Sequence, residues 1–167
     1  VFKNCIIEDG DGYGPAVRII GGTGIFRDCV IRNNRHEGND ALGGGSRIQG
    51  GGFDVQTYNG SEVRNPAKLF LDRCKVVGNY IDYTGSETNC NPHGAGIFVL
   101  ESSVARIRNT LIADNYFTGS GTCGSGTAGL DAENAELTLI NTTITGNTIN
   151  EITISLNEGW NLISGIS

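Results

Sequence analysis

The chain has 167 residues, enough for one domain with a substantial core. It carries 18 acidic and 12 basic residues, a formal net charge of −6, which disfavours a nucleic-acid partner because phosphate binding needs a basic face. No apolar run reaches the roughly 18 residues that a membrane-spanning helix requires, so no transmembrane segment is expected.

A nine-residue pattern recurs five times along the chain. Its order is apolar, any, Asn or Asp, Cys or Thr, any, Ile or Val, any, any, Asn, with single departures in some copies. The copies occupy residues 2–10, 26–34, 71–79, 107–115 and 139–147. Apolar residues alternate in short runs instead of following a helical period, which predicts strands. The Asn or Asp between the apolar positions tolerates a left-handed backbone, so each copy predicts strand, one-residue bend, strand and corner.

A further strand is expected upstream of each later copy. The candidates are residues 15–20, 45–49, 94–99 and 128–132. Three strands per repeat and one variable loop predict an all-β solenoid with three sheets and about five coils. Successive coils would pair about 4.8 Å apart and give a rod of about 20–25 Å.

Stacking the copies predicts four columns of equivalent side chains. Three of them point inward: Phe2, Phe26, Leu71, Ile107 and Leu139; Ile7, Ile31, Val76, Ile112 and Ile144; and Cys5, Cys29, Cys74, Thr110 and Thr142. The fourth column lies at a corner, where side-chain amides can bond from coil to coil. It contains Asn34, Asn79, Asn115 and Asn147.

These repeats resemble the right-handed parallel β-helix superfamily, which includes pectate-lyase-like proteins and adhesin passenger domains. Residues 107–115 and 139–147 are close to its common repeat, and the glycine-led residues 94–99 are similar to strands of bacterial surface members. The resemblance covers residues 1–150 and implies a right-handed parallel β-helix. Residues 151–167 are either a terminal coil or cap, or the start of a following domain. Because the chain begins at Val1 and stops in an apolar stretch, we expect a fragment of a longer protein.

The five cysteines fall into two groups. Cys5, Cys29 and Cys74 share an inward column and are interpreted as small buried apolar residues, with a Cys5–Cys29 disulfide left open. Cys90 and Cys123 lie in Gly-, Ser- and Thr-rich loops that follow equivalent corners. A disulfide between these two loops is predicted, and it would fit an oxidising compartment.

Candidate catalytic and metal-binding residues are few. The resemblance implies enzymes that cleave acidic polysaccharides with paired carboxylates, or with a base assisted by calcium, but their characteristic motifs are missing here. Glu37 and Asp40 remain as a weak candidate pair and His93 as a candidate base; a solvated loop residue is the favoured interpretation of His93. Three residues, Glu8, Asp9 and Asp11, form either a calcium-binding loop or an ordinary acidic turn. Calcium is the one cofactor considered, and none is required.

A binding surface is a further hypothesis. Tyr80 and Tyr116 follow equivalent corner asparagines and should stack outward beside each other. With Tyr83 and Phe117 they would form an aromatic platform for sugar rings; the alternative is ordinary loop packing. The insertion after Gly50 and the loops 80–93 and 116–127 are where a ligand site is expected.

The expected function is a structural or adhesive β-helix segment of a secreted or surface-anchored bacterial protein, with weak glycan binding. The alternative is a divergent polysaccharide lyase or glycoside hydrolase whose site is incomplete in this fragment, and a third is a periplasmic carbohydrate-binding and sugar-processing module. A non-enzymatic role is favoured because the catalytic motifs are missing. The expected location is extracellular or at the cell surface, or else periplasmic, and the expected partners are polysaccharides or host glycans.

Overall fold

The computed structural model describes residues 1–38, 48–59, 62–63, 65–84, 92–119, 127–148, 152–155 and 164–165. These residues form strands, turns and bends without a helix, so none of them forms a helix that could cross a membrane. All described strand pairs are parallel except one antiparallel pair, Tyr58–Asn59 with Glu62–Val63. The prediction of an all-β chain built from parallel strands is confirmed.

Two sheets are formed by the two strands of the repeated pattern. Sheet 1 contains Phe2–Lys3, Thr23–Arg27, Lys68–Asp72, Val104–Arg108, Glu136–Ile140 and Ser164–Gly165. Sheet 2 contains Ile6–Glu8, Val30–Arg32, Lys75–Val77, Leu111–Ala113 and Thr143–Thr145. Within each sheet the strands follow one another in chain order, so each repeat lies on the previous one.

Two further sheets follow the corner asparagine. Sheet 3 contains Asp11–Gly12, Arg35–Gly38, Tyr80–Tyr83 and Tyr116–Gly119. Sheet 4 contains Val17–Ile20, Phe53–Gln56, Ile97–Leu100, Leu130–Glu133 and Ile152–Ser155. A short parallel pair, Ile48–Gln49 with Pro92–His93, lies between sheets 3 and 4 along the chain. The arrangement is consistent with a parallel β-solenoid.

The register of the sheets reproduces the predicted columns, although Phe2, which was expected to be buried, is 52% exposed. In sheet 2, Val76 pairs with Ile31 on one side and with Ile112 on the other, and Ile112 pairs with Ile144. In sheet 1, Leu71 pairs with Phe26 and Ile107. All of the residues in these pairs belong to one core, in which the middle coils are fully buried and Ile7, Leu139 and Ile144 are partly buried. Burial of these apolar columns is the main contribution to the stability of the stacked coils.

Left-handed residues make both bends of each repeat. The bend between sheets 1 and 2 has positive φ at Asn4, Asp28, Arg73, Asn109 and Asn141. The next bend has it at Asp9, Asn33, Gly78, Asp114 and Gly146. Arg73 is the exception to the predicted Asn or Asp, and its guanidinium binds the Asp28 carboxylate of the neighbouring coil at 2.7 Å. Ion pairing accompanies the less favourable residue at this bend.

The corner asparagines form the predicted ladder. The Nδ2 atom of each residue donates to Oδ1 of its counterpart in the next coil, at 2.8 Å for Asn34 to Asn79 and 3.1 Å for Asn79 to Asn115. Asn115 donates to Asn147 in the same way, at 2.9 Å. Each Nδ2 also donates to a backbone carbonyl, as Asn79 does to Ile31 at 3.0 Å. The four side chains are buried and their hydrogen bonds bridge coil to coil.

Two features differ from the expectation. Sheet 3 adds a fourth strand to each of the first four coils, where only a variable loop was expected. In the second coil, the strand of sheet 4 is Phe53–Gln56, and the predicted segment 45–49 is not its third strand. Two glycine triplets precede this strand, at residues 43–45 and 50–52. The second triplet leads directly into the strand, and a Cβ on Gly52 would lie 2.6 Å from the Gly96 carbonyl oxygen. Close approach of neighbouring backbones therefore selects Gly52.

Candidate functional site

The outward face of sheet 4 is buried, although it points away from the core. Its neighbouring side chains Phe53, Val55, Ile97 and Val99 pack into the core, and the alternate residues therefore point outward. The resulting outward column consists of Arg18, Asp54, Phe98 and Asp131, which pair in register. Three of these are 0–1% exposed, so a second layer covers them. We call these four residues the outer column.

The covering layer includes the short parallel pair that precedes sheet 4. Gln49 accepts a hydrogen bond from Nε2 of Gln56 at 2.6 Å, and the His93 ring lies 5.2 Å from the Phe98 ring between centroids. Gln49 and His93 are register partners, so successive coils place different polar side chains over the same sheet. The insertions that carry these two strands are what close the outer column.

At one end of the outer column, both carboxylate oxygens of Asp54 have partners. Nε of Arg18 donates to Oδ2 at 2.9 Å, and Nε2 of Gln56 donates to Oδ1 at 2.6 Å. Burial raises the pKa of Asp54 above its ordinary value, although the hydrogen bonds from Gln56 and Arg18 act in the opposite direction. This end is a satisfied, internally compensated ion pair.

At the other end, one imidazole lies between two carboxylates. Nδ1 of His93 is 2.7 Å from Oδ2 of Asp131 and 3.2 Å from Oε1 of Glu133. The side chains of His93 and Glu133 are 14% and 22% exposed, whereas that of Asp131 is 2% exposed. Oδ1 of Asp131 is buried without a hydrogen-bond partner, and it is the single such side-chain atom in the described part of the chain.

The composition of this cluster is that of a metal site. Among the described residues, His93, Asp131 and Glu133 are the one group whose ligand atoms all lie within 4.8 Å of one another. An imidazole held by a carboxylate also resembles the pairing of a general base with its orienting acid. The cluster therefore offers two chemistries, cation binding and proton transfer.

Of the catalytic candidates from the sequence, only His93 lies in this cluster. Glu37 is instead bound to Arg35 of the same strand, with Nη1 and Oε2 3.0 Å apart. Asp40 lies outside the described residues. Sequence reasoning missed Asp131 and Glu133, although two carboxylates two residues apart in a strand share one face, and that spacing was the available signal.

The acidic turn residues are engaged with arginines of the next coil. The Glu8 carboxylate accepts a hydrogen bond from Nε of Arg32 at 2.6 Å, and Oδ1 of Asp11 accepts one from Nη1 of Arg35 at 2.8 Å. Asp9 occupies a left-handed bend between them. The structure thus assigns two of these carboxylates to ion pairs, and calcium binding by the turn stays a prediction.

The structure brings together two of the four residues of the predicted aromatic platform. The rings of Tyr80 and Tyr116 stack with centroids 4.8 Å apart and an interplanar angle of 3°. Tyr83 is buried with Ile81 in a second, smaller core, against which Phe117 packs. These two rings are on the other face of sheet 3 and do not join the tyrosine pair, because residues alternate along a strand.

A shallow groove follows the outward face of sheet 1. Its volume is about 350 Å³, and its lining includes Phe70, Arg106 and Ile140. The Arg106 guanidinium lies 6.0 Å from the centre of the Phe70 ring. Apolar surface flanked by guanidinium groups can accept a polar chain, so this groove is a second candidate binding surface.

The inward cysteines of the first three coils are free thiols. Sγ of Cys5 lies 3.0 Å from Sγ of Cys29, and no disulfide joins them. Burial, together with the neighbouring Cys29 thiol, raises the pKa of Cys5 to about 11. Thiols held in this form are poor nucleophiles and behave as packing residues. Cys90 and Cys123, the predicted disulfide, lie outside the described residues.

The chain matches no known family model, no curated protein and no solved structure. Its resemblance to the parallel β-helix superfamily therefore stays a prediction based on the repeats. The function of the chain has therefore to be inferred from the stacking of the coils and from the surfaces that this stacking creates.

Proposed function

We propose that the chain is a segment of a right-handed parallel β-helix that serves as a structural or adhesive passenger of a secreted or surface-anchored bacterial protein. Sheets 1, 2 and 4 would be the three principal faces, and sheet 3 would extend the connection between sheets 2 and 4. The observation that carries this proposal is the buried asparagine ladder, which binds each coil to the next through side chains as well as backbone. A rod built in this way holds its surfaces at fixed positions.

A stacked rod suits a stalk because every coil depends on its immediate neighbours. Stability in such repeats is approximately the sum of the coils and their interfaces, so a long array withstands local damage. The apolar core of the described residues is continuous from Ile19 to Leu137. These properties favour mechanical support over a chemistry that needs moving parts.

Weak glycan binding is the adhesive part of the proposal. The Tyr80 and Tyr116 rings each cover one face of the other, so a sugar would contact their edges, their hydroxyl groups or the opposite ring faces. Asp82 lies on the same face two residues from Tyr80 and is held by Nη2 of Arg35 at 2.8 Å. An aromatic edge next to an ion pair can contact both the apolar and the hydroxyl faces of a sugar.

One observation favours an enzyme as the second candidate. His93 is held by Asp131 at 2.7 Å, and an imidazole oriented in this way is suited to accept a proton. In that case the chain would be a divergent polysaccharide lyase or glycoside hydrolase that uses this cluster. The side chain of His93 is only 14% exposed, so a substrate would have little direct access to it.

The two candidates are separated by measuring retention and cleavage on the same polysaccharides. Beads carrying the chain would be applied to immobilised polygalacturonate, alginate and a neutral glucan, with release of reducing and unsaturated ends recorded in parallel. The passenger proposal predicts retention without cleavage. Retention should fall about tenfold in the Tyr80→Ala/Tyr116→Ala variant, a loss of about 1.4 kcal/mol.

Matched variants locate the contact surface. Tyr13→Ala removes a tyrosine that is 60% exposed and lies outside the stacked pair, and it should leave retention unchanged. Phe70→Ala tests the groove of sheet 1, and a loss confined to this variant would move binding to that groove. Product release that is abolished by His93→Gln would overturn the passenger proposal and support the enzyme.

A further inference from the structure

We propose that His93, Asp131 and Glu133 bind one divalent transition-metal ion, of which Zn²⁺ is the best match, at the outward face of sheet 4. This site is independent of the proposed glycan contact, which involves a different sheet. The three residues come from two coils: His93 belongs to a covering strand, and the two carboxylates belong to the strand Leu130–Glu133. A bound ion would therefore link the cover to the sheet.

The spacing of the ligand atoms is close to that of a coordinated ion. Ligands at about 2.0–2.2 Å from a tetrahedral zinc ion lie about 3.3 Å from one another. Nδ1 of His93 is 3.2 Å from Oε1 of Glu133 and 2.7 Å from Oδ2 of Asp131. The His93–Asp131 separation would open by about half an ångström on coordination. The two carboxylate oxygens are within 4.8 Å of each other.

The charge of the cluster favours a cation. Asp131 and Glu133 are both carboxylates that face one imidazole nitrogen, at 2.7 Å and 3.2 Å. A divalent ion between these atoms would have two carboxylate oxygen ligands and one imidazole nitrogen ligand. Buried charges that are not compensated are strongly destabilising, and the side chain of Asp131 is 2% exposed.

The unpartnered oxygen is an independent observation. Oδ1 of Asp131 is buried and accepts no hydrogen bond, whereas almost all buried polar atoms in proteins are paired. It belongs to the carboxylate that already faces His93, so a cation at this position could engage either oxygen of the group. A proton on His93 accounts for Oδ2 alone.

The same outward column contains an internal comparison. Asp54 occupies the equivalent position two coils away and is also fully buried, and its two oxygens bind Arg18 and Gln56. That arrangement shows how this face neutralises a buried carboxylate with protein groups alone. Asp131 instead faces an imidazole and a second carboxylate, which are donor types found at zinc sites.

The donor set selects the kind of ion. Calcium takes six to eight oxygen ligands, and magnesium retains several waters, so neither is matched by one imidazole and two carboxylates. Imidazole suits Zn²⁺, Ni²⁺, Cu²⁺ and Fe²⁺. Zinc binds nitrogen and carboxylate oxygen in tetrahedral sites and accepts three protein ligands with a water molecule as the fourth.

Titration with Co²⁺ and Zn²⁺ tests the site directly. The chain is first treated with a chelator and a thiol reductant, and Co²⁺ binding is then followed by its visible ligand-field absorption. We expect one equivalent to bind with a tetrahedral spectrum that lacks thiolate charge-transfer bands, and Zn²⁺ to displace it. The absence of thiolate bands distinguishes this site from binding by the five cysteines.

Variants decide between this site and any other. His93→Gln and Glu133→Gln should each weaken binding at least about tenfold, in line with the loss of a ligand. Asp54→Asn changes the matched carboxylate and should leave the affinity unchanged. The unfolding midpoint of each variant in chelator shows whether it is folded, and Glu133→Gln, at the more exposed position, serves if His93→Gln is not. Binding weaker than millimolar in the wild type, or binding unaffected by both ligand variants, would overturn the proposal.

Discussion

The corner asparagines and the outer column of sheet 4 are two columns of stacked side chains with opposite designs, and both contain buried polar residues. At the corner, the same residue occurs in four successive coils, and each amide bonds to the next. In the outer column every coil presents a different residue: Arg18, Asp54, Phe98 and Asp131. The corner column repeats the same residue, and the outer column changes its residues and their hydrogen-bond partners from coil to coil.

The difference teaches where a solenoid holds its structure and where it can hold chemistry. A repeated residue makes the same contact above and below, so its column stabilises the stack and can do little else. A position that varies inside a buried column is not explained by stacking. Asp131 is such a position, and it carries the one buried side-chain atom without a partner among the residues that the structure describes.

Breaking the repeated column should have the largest effect. Asn79→Ala removes two donated hydrogen bonds and leaves the backbone and side-chain N–H groups of Asn34 without their acceptor. We expect a loss of about 3 kcal/mol in the free energy of unfolding, because buried groups left unpaired cost about 1–3 kcal/mol each. Urea denaturation measures this change. The exposed substitution Thr118→Ala in the next sheet is the control and should change stability by less than about 0.5 kcal/mol.

Breaking the satisfied end of the outer column should have an intermediate effect. Arg18→Ala removes the guanidinium that compensates buried Asp54, and we expect a loss of about 1–2 kcal/mol at neutral pH. The value is below that of a fully buried pair because the Arg18 side chain is 47% exposed and is screened by solvent. Denaturation at pH 7 and at acid pH provides the check. The loss should shrink in acid, where Asp54 is protonated, and an equal loss at both pH values would contradict the ion-pair interpretation.

Substitution of Asp131, whose Oδ1 atom has no hydrogen-bond partner, should change the free energy of unfolding in the opposite direction. In the absence of metal, Asp131→Asn removes one of two neighbouring negative charges without changing the shape of the side chain. We expect the free energy of unfolding to stay constant or to rise by up to about 1 kcal/mol, since Oδ1 of the Asp131 carboxylate is buried without a hydrogen-bond partner. Thermal unfolding in chelator measures it. A loss of more than about 2 kcal/mol would show that the carboxylate is already fully compensated by protein groups.

The pH dependence of Asp54 should give the smallest effect. Because burial raises the pKa of Asp54, the folded chain keeps a proton that the unfolded chain has lost, in the window between the unfolded value and the raised value. The folded state then binds more protons, so stability falls as the pH rises through this window. Asp54→Asn lacks this group. Its urea midpoint should therefore rise relative to that of the wild type as the pH increases above about 4, and a falling difference would contradict the direction of the shift.

The sequence predicted the repeated parts of the molecule and missed the variable ones, for a physical reason. The pattern of Ile31, Val76 and Ile112 predicts both strand and register, because a shift by one residue would turn an apolar column outward. The paired tyrosines were predicted in the same way. The strand Phe53–Gln56 was missed because two glycine triplets compete, and only contact between neighbouring backbones selects the second.

The candidate site could be predicted only in part. His93 was a candidate, but its partners lie about 40 residues further along the chain, in a strand where alternation marks Asp131 and Glu133 as outward residues. What the alternation could not show is that a covering strand lies over this outward face and buries it. That layer includes the strands Ile48–Gln49 and Pro92–His93, which lie outside the five copies of the repeated pattern, and the tertiary contacts of such segments are not encoded in a periodic pattern.

Methyl-to-methyl nuclear Overhauser effects are the most direct test of the stacked coils on which every surface described here depends. With selectively labelled isoleucine and valine methyl groups, we expect cross-peaks from Ile31 to Val76, from Val76 to Ile112 and from Ile112 to Ile144, which are register partners in sheet 2. Ile31 and Ile112 should give none, because they are two coils and about 9.6 Å apart. Cross-peaks between Ile31 and Ile112, or none between Val76 and Ile112 in assigned spectra, would contradict the stack.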